Sequence, residues 1–388
     1  MIPIRYSVRS LGQRMTSSAM TAMSVALVVM VLTILLGFIH GMRRTMTDAA
    51  APGNFMVLER GVTVETGGIN HENVQILKTR PEIAADAAGA PLLSQEFVVG
   101  FDPTPDAARA STAILRAVFP IAFELHRGVK VVEGHLPERG KNEWIVGQRL
   151  AARYPNLRPG RTFVWGRERI VWHIVGVFSD NGSARESEVW ANIYDLANVF
   201  HFSVGELGAN VLHIVLKPGT EPSFAAVMRS DSRLRVDLMS ERDFYAQAAG
   251  FSNQLRSLGL VVATILAMGA IFGAMNTMYS AVARRRREVG TLRVLGFGRG
   301  SVLAAFMLES AILGAAGGVI GEVLAVAVAH ATGLESRLMN VGTVLFSFQL
   351  PWSAFGVGLG AAIAIGLAGG TLPAWQAARL DVIASIRD

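Results

Sequence analysis

Cysteine is absent from this sequence of 388 residues. Its absence excludes disulfide bonds, zinc sites built on thiolates and catalysis by a cysteine nucleophile. Charged residues are also scarce, because Asp, Glu, Lys and Arg make up 17% of the chain, whereas they form about a quarter of an average soluble domain. The deficit is concentrated in long uncharged runs, which are typical of a membrane protein.

Motifs of known catalytic sites are missing as well. The sequence contains no HExxH pair, no GxSxG elbow, no SxxK motif and no GxxxxGK[ST] phosphate loop. The histidines between the first two apolar runs are dispersed and form no close cluster with carboxylates; they are His71, His126, His135, His173, His201 and His213. We therefore expect no catalytic residue, no metal site and no cofactor on this chain.

Four apolar runs predict four membrane-spanning helices. Residues 17–40 contain no Asp, Glu, Lys or Arg, and a helix of that length reaches roughly 36 Å, enough to cross a hydrocarbon core of about 30 Å. A cleaved signal peptide is disfavoured, because the apolar part of a signal peptide is usually about 7–15 residues long. The other runs are 258–282, 301–331 and 351–373. Glycines at four-residue spacing in these three runs predict close helix packing.

Arginines beside the runs predict the orientation of the spans. They occur before the first span, between the second and third spans, and after the fourth span. The positive-inside rule places these three segments in the cytoplasm. The formal net charge of +6 is then explained by topology, and we expect no nucleic-acid partner.

The long segment between the first two spans has the composition of a soluble domain. EWIVG, ERIVWHIVGVF and ANVLHIVLKPG read as strands, because they are rich in β-branched and aromatic residues and are bounded by turn residues. QRLAARY reads as a short helix between two of these strands. The segment therefore predicts an α+β domain.

The predicted fold class is a membrane α-helical protein with four transmembrane helices and a large α+β extracytoplasmic domain between the first and second helix. The predicted segments are a cytoplasmic amphipathic helix at 1–16, transmembrane helix 1 at 17–42, the extracytoplasmic domain at 43–256, transmembrane helix 2 at 257–283, a cytoplasmic coupling helix at 284–300, transmembrane helix 3 at 301–331, a short outer loop at 332–350, transmembrane helix 4 at 351–373 and a cytoplasmic tail at 374–388.

The basic connection between the second and third spans has a helical pattern of its own. Val289, Leu292 and Leu295 recur at i, i+3 and i+6, which predicts one apolar stripe on a short helix. Gly296 and Gly298 are expected to end that helix. The pattern favours a small docking helix over a simple positive-inside anchor.

At this point the sequence resembles a family. RRREVGTLRVLGFGRGSVLAAFMLESAILGAAGGVIGEVLA resembles the basic segment and third span of FtsX-like and MacB-like ABC transporter permeases. The chain end GTLPAWQAARLDVIASIRD, the start RYSVRSLGQRMTSSAMTAMSVALVV and the EWIVGQRLA region are similar to the same family. Residues from about 52 to 117 match no part of it that we recognise.

The resemblance implies that ATP is bound by a chain other than this one and that several partners are needed. A separate ATPase subunit would bind ATP and Mg²⁺, and a second permease copy or paralogue would complete a dimer in the bacterial cytoplasmic (inner) membrane. A periplasmic adaptor or substrate protein and membrane lipid are further expected partners. The residues that the resemblance places in the coupling helix facing the ATPase are Arg287, Glu288, Gly290, Leu292, Arg293 and Gly296.

Two functions remain open from the sequence. One is export or extraction of a lipid, lipoprotein or amphipathic substrate. The other is a mechanotransmitter that activates a periplasmic enzyme, such as a cell-wall hydrolase, without moving a substrate. An apolar pocket would favour the first function and a flat apolar patch the second. The coupling-like helix argues against a third possibility, a membrane scaffold without an ATPase.

Glu309 and Glu322 lie inside the third run. Ionisable groups within a span are costly and are usually paired. We expect Glu309, about two turns from the cytoplasmic end, to pair with a nearby arginine. We expect Glu322 to find a partner near the outer interface, where the cost falls.

Overall fold

The structure is a computed structural model that describes residues 15–47, 53–62, 64, 66–104, 112–201, 208–248, 250–335, 337–341 and 343–380. The amphipathic helix expected at 1–16 and most of the tail expected at 374–388 lie outside these residues. Two compact units are present. The helical unit is made of Met1–Gly41, Ser252–Arg337 and Phe348–Asp388, and the sheet unit is made of Met42–Phe251 and Leu338–Ser347.

The α-helices of the described residues are numbered in chain order. They are α1 (Met15–Thr47), α2 (His71–Lys78), α3 (Ala122–Leu125), α4 (Gln148–Arg153), α5 (Ile193–Val199), α6 (Glu221–Ser230), α7 (Glu241–Ala248), α8 (Gly250–Arg284), α9 (Arg286–Val294), α10 (Arg299–Ala331) and α11 (Trp352–Ala378). Four helices of the described chain, α1, α8, α10 and α11, are long and apolar enough to cross a membrane. They overlap the four predicted runs, but α11 continues to Ala378 and so includes the first residues of the segment predicted as the tail at 374–388.

Glycines bring two pairs of spans together in the helical unit. A Cβ placed on Gly366 of α11 would lie 2.5 Å from the Ser310 carbonyl oxygen of α10. A Cβ on Gly321 of α10 would lie equally close, at 2.5 Å, to the Ala26 carbonyl oxygen of α1. The prediction of close packing is confirmed at these positions, since only a residue without Cβ allows such contact. It is wrong for Gly269 and Gly273 of α8 within this chain, because no described atom lies within 4 Å of a Cβ placed there.

The sheet unit contains a ten-stranded mixed sheet in the order β10-β1-β9-β2-β3-β8-β5-β7-β4, with β6 paired to β7. The β3–β8 and β5–β7 pairs are parallel. The strands are β1 (Asn54–Glu59), β2 (Leu93–Phe101), β3 (Ala113–Val118), β4 (Lys130–Gly134), β5 (Glu143–Gly147), β6 (Thr162–Trp165), β7 (Ile170–Ser179), β8 (Glu188–Asn192), β9 (Val211–Val215), β10 (Val236–Ser240), β11 (Leu338–Val341) and β12 (Val344–Ser347).

The strand predictions are confirmed for β5, β7 and β9, and the predicted short helix corresponds to α4. One face of the sheet is apolar because alternate residues of each strand point the same way. Trp144 and Trp172 stack there with ring centroids 5.2 Å apart. Leu115 and Ala191 are buried in the same core. The segment expected to be a loop at 332–350 instead contains the hairpin β11–β12, which the sequence pattern did not predict.

Candidate functional site

The predicted coupling segment folds as the short helix α9. Its end has the geometry of a Schellman motif, in which a left-handed residue follows the helix. Gly296 has a φ of 92°. The Gly296 amide donates to the Arg293 carbonyl at 3.2 Å, and the Phe297 amide donates to the Leu292 carbonyl at 3.1 Å. The prediction that glycine ends this helix is therefore confirmed for Gly296.

Two arginines attach α9 to other helices of the helical unit. Arg285, the residue before α9, donates from Nη1 to Glu309 Oε2 of α10 at 2.9 Å, and both side chains are buried. Arg293 donates from Nη1 to the Ala378 carbonyl oxygen at 2.9 Å. Ala378 is the last residue of α11, so this bond satisfies one of the carbonyls that a helix end leaves without a partner. Movement of α9 is thereby linked to both α10 and α11.

The other residues predicted for the coupling helix divide between a packed and an exposed side. Val289 and Gly290 are buried, and Leu292 is half-buried. Arg287 and Glu288 are exposed. The predicted apolar stripe is wrong at its last position, because Leu295 is 70% exposed. Leu295 is the C-cap of α9, and its amide still donates to the Thr291 carbonyl at 3.0 Å.

Glu322 behaves differently from Glu309. It is half-buried on α10, and its Oε1 is buried without a hydrogen-bond partner among the described residues. A Cβ placed on Gly358 of α11 would lie 3.2 Å from this oxygen. No described basic residue forms an ion pair with Glu322, so the pairing expected from the sequence is not found there.

The second face of the sheet carries charged residues on adjacent strands. The pairing register places Glu96 diagonally across from Arg116, and Arg116 diagonally across from Glu188. His213 lies diagonally across from Glu96 on the other side. Since residues in these registers share one face, the strands β9, β2, β3 and β8 present a continuous row of ionisable groups.

This charged face is covered and removed from solvent. His126 follows α3, Glu241 begins α7, and a 3₁₀ turn at Ala184–Ser187 contributes Arg185. His126, Arg185 and Glu241 are all buried. We call the whole set the buried polar cluster; its members are Glu96, Arg116, His126, Asp180, Arg185, Glu188, His213 and Glu241.

Arg116 is the centre of one half of the cluster. It binds Glu188 through two bonds of 2.6 Å, from Nε and Nη2. Its Nη1 donates to Glu96 Oε2 at 2.7 Å. Trp190 Nε1 adds a bond of 2.8 Å to Glu188. All three nitrogens of the guanidinium fork are thus directed at a carboxylate, which is the geometry that favours arginine over lysine.

The two histidines form the other half. His126 Nε2 lies 2.9 Å from Glu96 Oε1, and His213 Nε2 lies 3.5 Å from Glu96 Oε2. On the far side of both rings, Glu241 Oε1 lies 4.0 Å from His126 Nδ1 and 3.7 Å from His213 Nδ1. Arg185 binds both Glu241 and Asp180. The expectation that the histidines form no cluster with carboxylates is wrong for His126 and His213.

Burial determines the charge state of the histidines. Burial lowers the pKa of His213 to about 4, and Glu96 only partly opposes this. Burial and the nearby Arg185 also lower the pKa of His126. Burial alone would raise the pKa of Glu96, but His213, His126 and Arg116 hold it well below its usual value. Among these three neighbours, Arg116 is the one that carries a permanent positive charge, and its Nη1 donates directly to Glu96 Oε2.

A cavity of about 220 Å³ lies in the sheet unit beside the Arg116–Glu188 pair. Its walls include Met46, Met56 and Phe244. An apolar cavity with a small number of oriented polar groups is typical of a site for an amphipathic ligand.

Comparisons with known proteins agree for both units. A family model of the MacB-like periplasmic core domain matches residues 18–229. A model described as FtsX-like permease C-terminal matches residues 260–382. The first match contains α1 and most of the sheet unit, and the second contains α9, α10 and α11.

Individual relatives are permeases of the same kind. An uncharacterised ABC transporter permease of Methanocaldococcus jannaschii is 32% identical over 33% of this chain and 31% of its own length. The macrolide export ATP-binding/permease protein MacB of Nitrobacter winogradskyi is 32% identical over 37% of this chain and 22% of its own length. The pyoverdine export ATP-binding/permease protein PvdT of Pseudomonas aeruginosa is 26% identical over 56% of this chain and 33% of its own length.

These matches span about a fifth to a third of the length of the curated relatives. Among solved structures, the periplasmic region of MacB from Actinobacillus actinomycetemcomitans aligns with 52% of this chain and 94% of its own, at 12% identity and a TM-score of 0.37. A TM-score of 0.37 is too low to support an argument about this chain.

Proposed function

This chain belongs to the MacB-like and FtsX-like family of ABC transporter permeases, and from this premise we propose that it couples a separate ATPase to its periplasmic domain. The ATPase binds ATP and Mg²⁺ and docks on α9, where Arg287, Glu288 and Leu295 are exposed. Its closure moves α9, and the periplasmic domain responds. This chain supplies no catalytic residue for hydrolysis.

The observation that carries this proposal is the double attachment of α9. Arg285 holds its start to Glu309 of α10, and Arg293 holds its end to the Ala378 carbonyl of α11. A helix attached at both ends moves with its neighbours and cannot absorb a force by local rotation. Val294 is 61% exposed beside Leu295, so α9 offers an apolar surface with flanking arginines to the ATPase.

The proposed substrate is a lipid, lipoprotein or other amphipathic molecule. The cavity of about 220 Å³ is smaller than the roughly 300–1,000 Å³ of sites for drug-sized ligands. We therefore propose that the cavity binds one apolar group of a larger molecule. The Arg116–Glu188 pair would face a polar group of the same molecule beside that apolar group. A pocket of this type favours substrate handling over the mechanotransmitter alternative, which calls for a flat contact surface.

The proposed assembly is a dimer in the bacterial inner membrane with both chain termini in the cytoplasm. Gly269 and Gly273 of α8 support a second permease copy or paralogue, because small residues at this spacing suit close contact with another helix in lipid. No described atom of this chain occupies the space that a Cβ would enter at either glycine. A periplasmic adaptor or substrate protein remains a further proposed partner.

The test of coupling is a pull-down of the full chain in mild detergent with its ATPase identified by mass spectrometry. Arg287→Glu combined with Leu295→Glu changes exposed side chains of α9 and of the residue that directly follows it, and should abolish stoichiometric ATPase recovery. The matched control, Arg229→Glu with Leu136→Glu, changes an exposed arginine and leucine of the sheet unit and should retain it. Equal ATPase recovery by both double variants would contradict docking on α9.

A further inference from the structure

The buried polar cluster has an excess of negative charge. Its two guanidinium groups belong to Arg116 and Arg185, whereas four carboxylates belong to Glu96, Asp180, Glu188 and Glu241. The neighbouring Arg149–Glu186 pair is balanced and does not change this excess. Among these named residues the carboxylates therefore outnumber the guanidinium groups by two, and carboxylates removed from solvent are stabilised by nearby positive charge.

The histidines beside these carboxylates have ring nitrogens without partners. Both ring nitrogens of His213 and Nδ1 of His126 are buried without a hydrogen-bond partner in the part of the chain that the structure describes. His126 is 2% exposed and His213 is 1% exposed, so solvent does not reach them either. A neutral imidazole carries one N–H and one lone pair. Both the N–H donor and the lone-pair acceptor of His213 are therefore without a hydrogen-bond partner among the described residues.

A divalent cation would satisfy the charge balance and the lone pairs together. One donor atom from each of Glu96, His126 and His213 lies within 4.8 Å of the other two. Zinc-type ions bind imidazole nitrogen at about 2.0–2.1 Å and accept carboxylate oxygen as well, which separates neighbouring ligands by roughly 3.3 Å. Small side-chain movements would bring the three donors to that spacing.

We propose that Glu96, His126 and His213 form a binding site for a divalent transition-metal ion in the periplasmic domain. Glu241 lies on the Nδ1 side of both rings, at 4.0 and 3.7 Å, where it orients the imidazoles as an outer-shell carboxylate. Arg116 keeps one oxygen of Glu96 through its bond of 2.7 Å, and the other oxygen ligates the ion.

The site has a structural consequence for the chain. Its residues come from β2, β9, the end of α3 and the start of α7. Helix α7 directly precedes α8 in the sequence. A bound ion would therefore fasten the segment that leads into the second span onto the central strands.

The experiment uses the full chain, with an affinity tag free of histidine, in mild detergent after EDTA treatment. Co²⁺ or Zn²⁺ is then added, and bound metal is measured by elemental mass spectrometry and by the Co²⁺ absorption bands. About one equivalent per chain is expected. His213→Gln should lose stoichiometric binding, and Glu241→Gln should weaken it by about 10–100-fold, as outer-shell changes do. The control His201→Gln changes an exposed histidine that also faces a carboxylate, Glu168, and should bind normally.

The wild-type chain decides the question even if a variant fails to fold. A folded wild-type chain that shows no Co²⁺ band and no bound Zn²⁺ above background overturns the site. Equal metal binding by wild type and by a folded His213→Gln chain overturns it as well.

Discussion

Arg285 and Glu309 form a buried ion pair of 2.9 Å between the start of α9 and the body of α10. The two residues are 24 positions apart in the chain, and the pair joins α9 to the third predicted span. Glu288 is a weaker neighbour of the same arginine, at 3.7 Å and with an exposed side chain. The strength of the Arg285–Glu309 pair therefore determines how firmly α9 is attached.

Removing one partner of this pair should destabilise the chain. Glu309→Leu leaves Arg285 buried without its main counter-charge, and such losses cost about 3–5 kcal/mol. The double variant Arg285→Leu with Glu309→Leu should be more stable than the single variant, because no buried charge remains. Thermal unfolding in detergent measures both effects. Glu288→Gln is the control and should change stability by no more than about 1 kcal/mol; a Glu309→Leu loss of that size would contradict the prediction.

The left-handed residue after α9 gives a second prediction. Gly296→Ala places a Cβ at a φ of 92°, which costs roughly 1–2 kcal/mol. Gly298→Ala is a matched control, since Gly298 has a φ of −67° and no described atom lies within 4 Å of the position that its Cβ would take. We expect slower ATPase-driven turnover and faster proteolysis of the connection for Gly296→Ala only. Indistinguishable proteolysis of the two variants would show that the turn is not needed.

The spans and the end of α9 could be predicted because their causes are local. Whether an uncharged run is long enough to span a membrane depends only on the run itself. The turn at Gly296 likewise depends on the conformational freedom of that glycine and not on distant residues. The exposure of Leu295 could not be predicted from periodicity, because Leu295 keeps its helical bond to Thr291 and its burial depends on which other segments lie nearby.

The buried polar cluster could not be predicted in the same way. Glu96, Arg116 and His213 occupy alternate positions of strands, which is the pattern of a solvent-facing side. Helices α3 and α7 and the 3₁₀ turn cover them, and Glu241 of α7 is distant in sequence from Glu96. The sequence does show a charged residue between apolar neighbours in several strands. This pattern predicts that one face of the sheet is charged, but it does not predict whether other elements cover that face.

The effect of a glycine-to-valine substitution in α11 should depend on whether the glycine faces α10. Gly366→Val would place atoms against the Ser310 carbonyl, 2.5 Å from the Cβ position, and such overpacking costs about 1–3 kcal/mol. Gly360→Val is on the same helix, but no described atom lies within 4 Å of its Cβ position. Detergent-solubilised Gly366→Val should therefore unfold at a lower temperature than Gly360→Val. Equal unfolding temperatures would contradict the observed packing.

Filling the cavity distinguishes substrate handling from mechanical transmission. Ile114→Trp would occupy space in the cavity of about 220 Å³ and should weaken binding of a fluorescent fatty acid by at least about tenfold, or 1.4 kcal/mol. Val62→Trp is the control, because Val62 is an exposed residue of the same unit. Unchanged fatty-acid binding by Ile114→Trp, with ATPase docking intact, would favour the mechanotransmitter alternative.

The geometry around Arg116 predicts that lysine cannot replace it. Arg116 makes two bonds of 2.6 Å to Glu188 and a third of 2.7 Å to Glu96. A single ammonium group at that position reaches one carboxylate well and leaves the other buried without its counter-charge. Arg116→Lys should therefore destabilise the periplasmic domain by several kcal/mol, a substantial part of the roughly 3–5 kcal/mol expected for a broken buried pair. Arg229→Lys, at an exposed position of α6, should have no measurable effect on the unfolding temperature. If Arg116→Lys also left the unfolding temperature unchanged, the bidentate bonds would add nothing to the positive charge that lysine also carries. The excess of negative charge in the cluster would then be the stronger constraint on its structure.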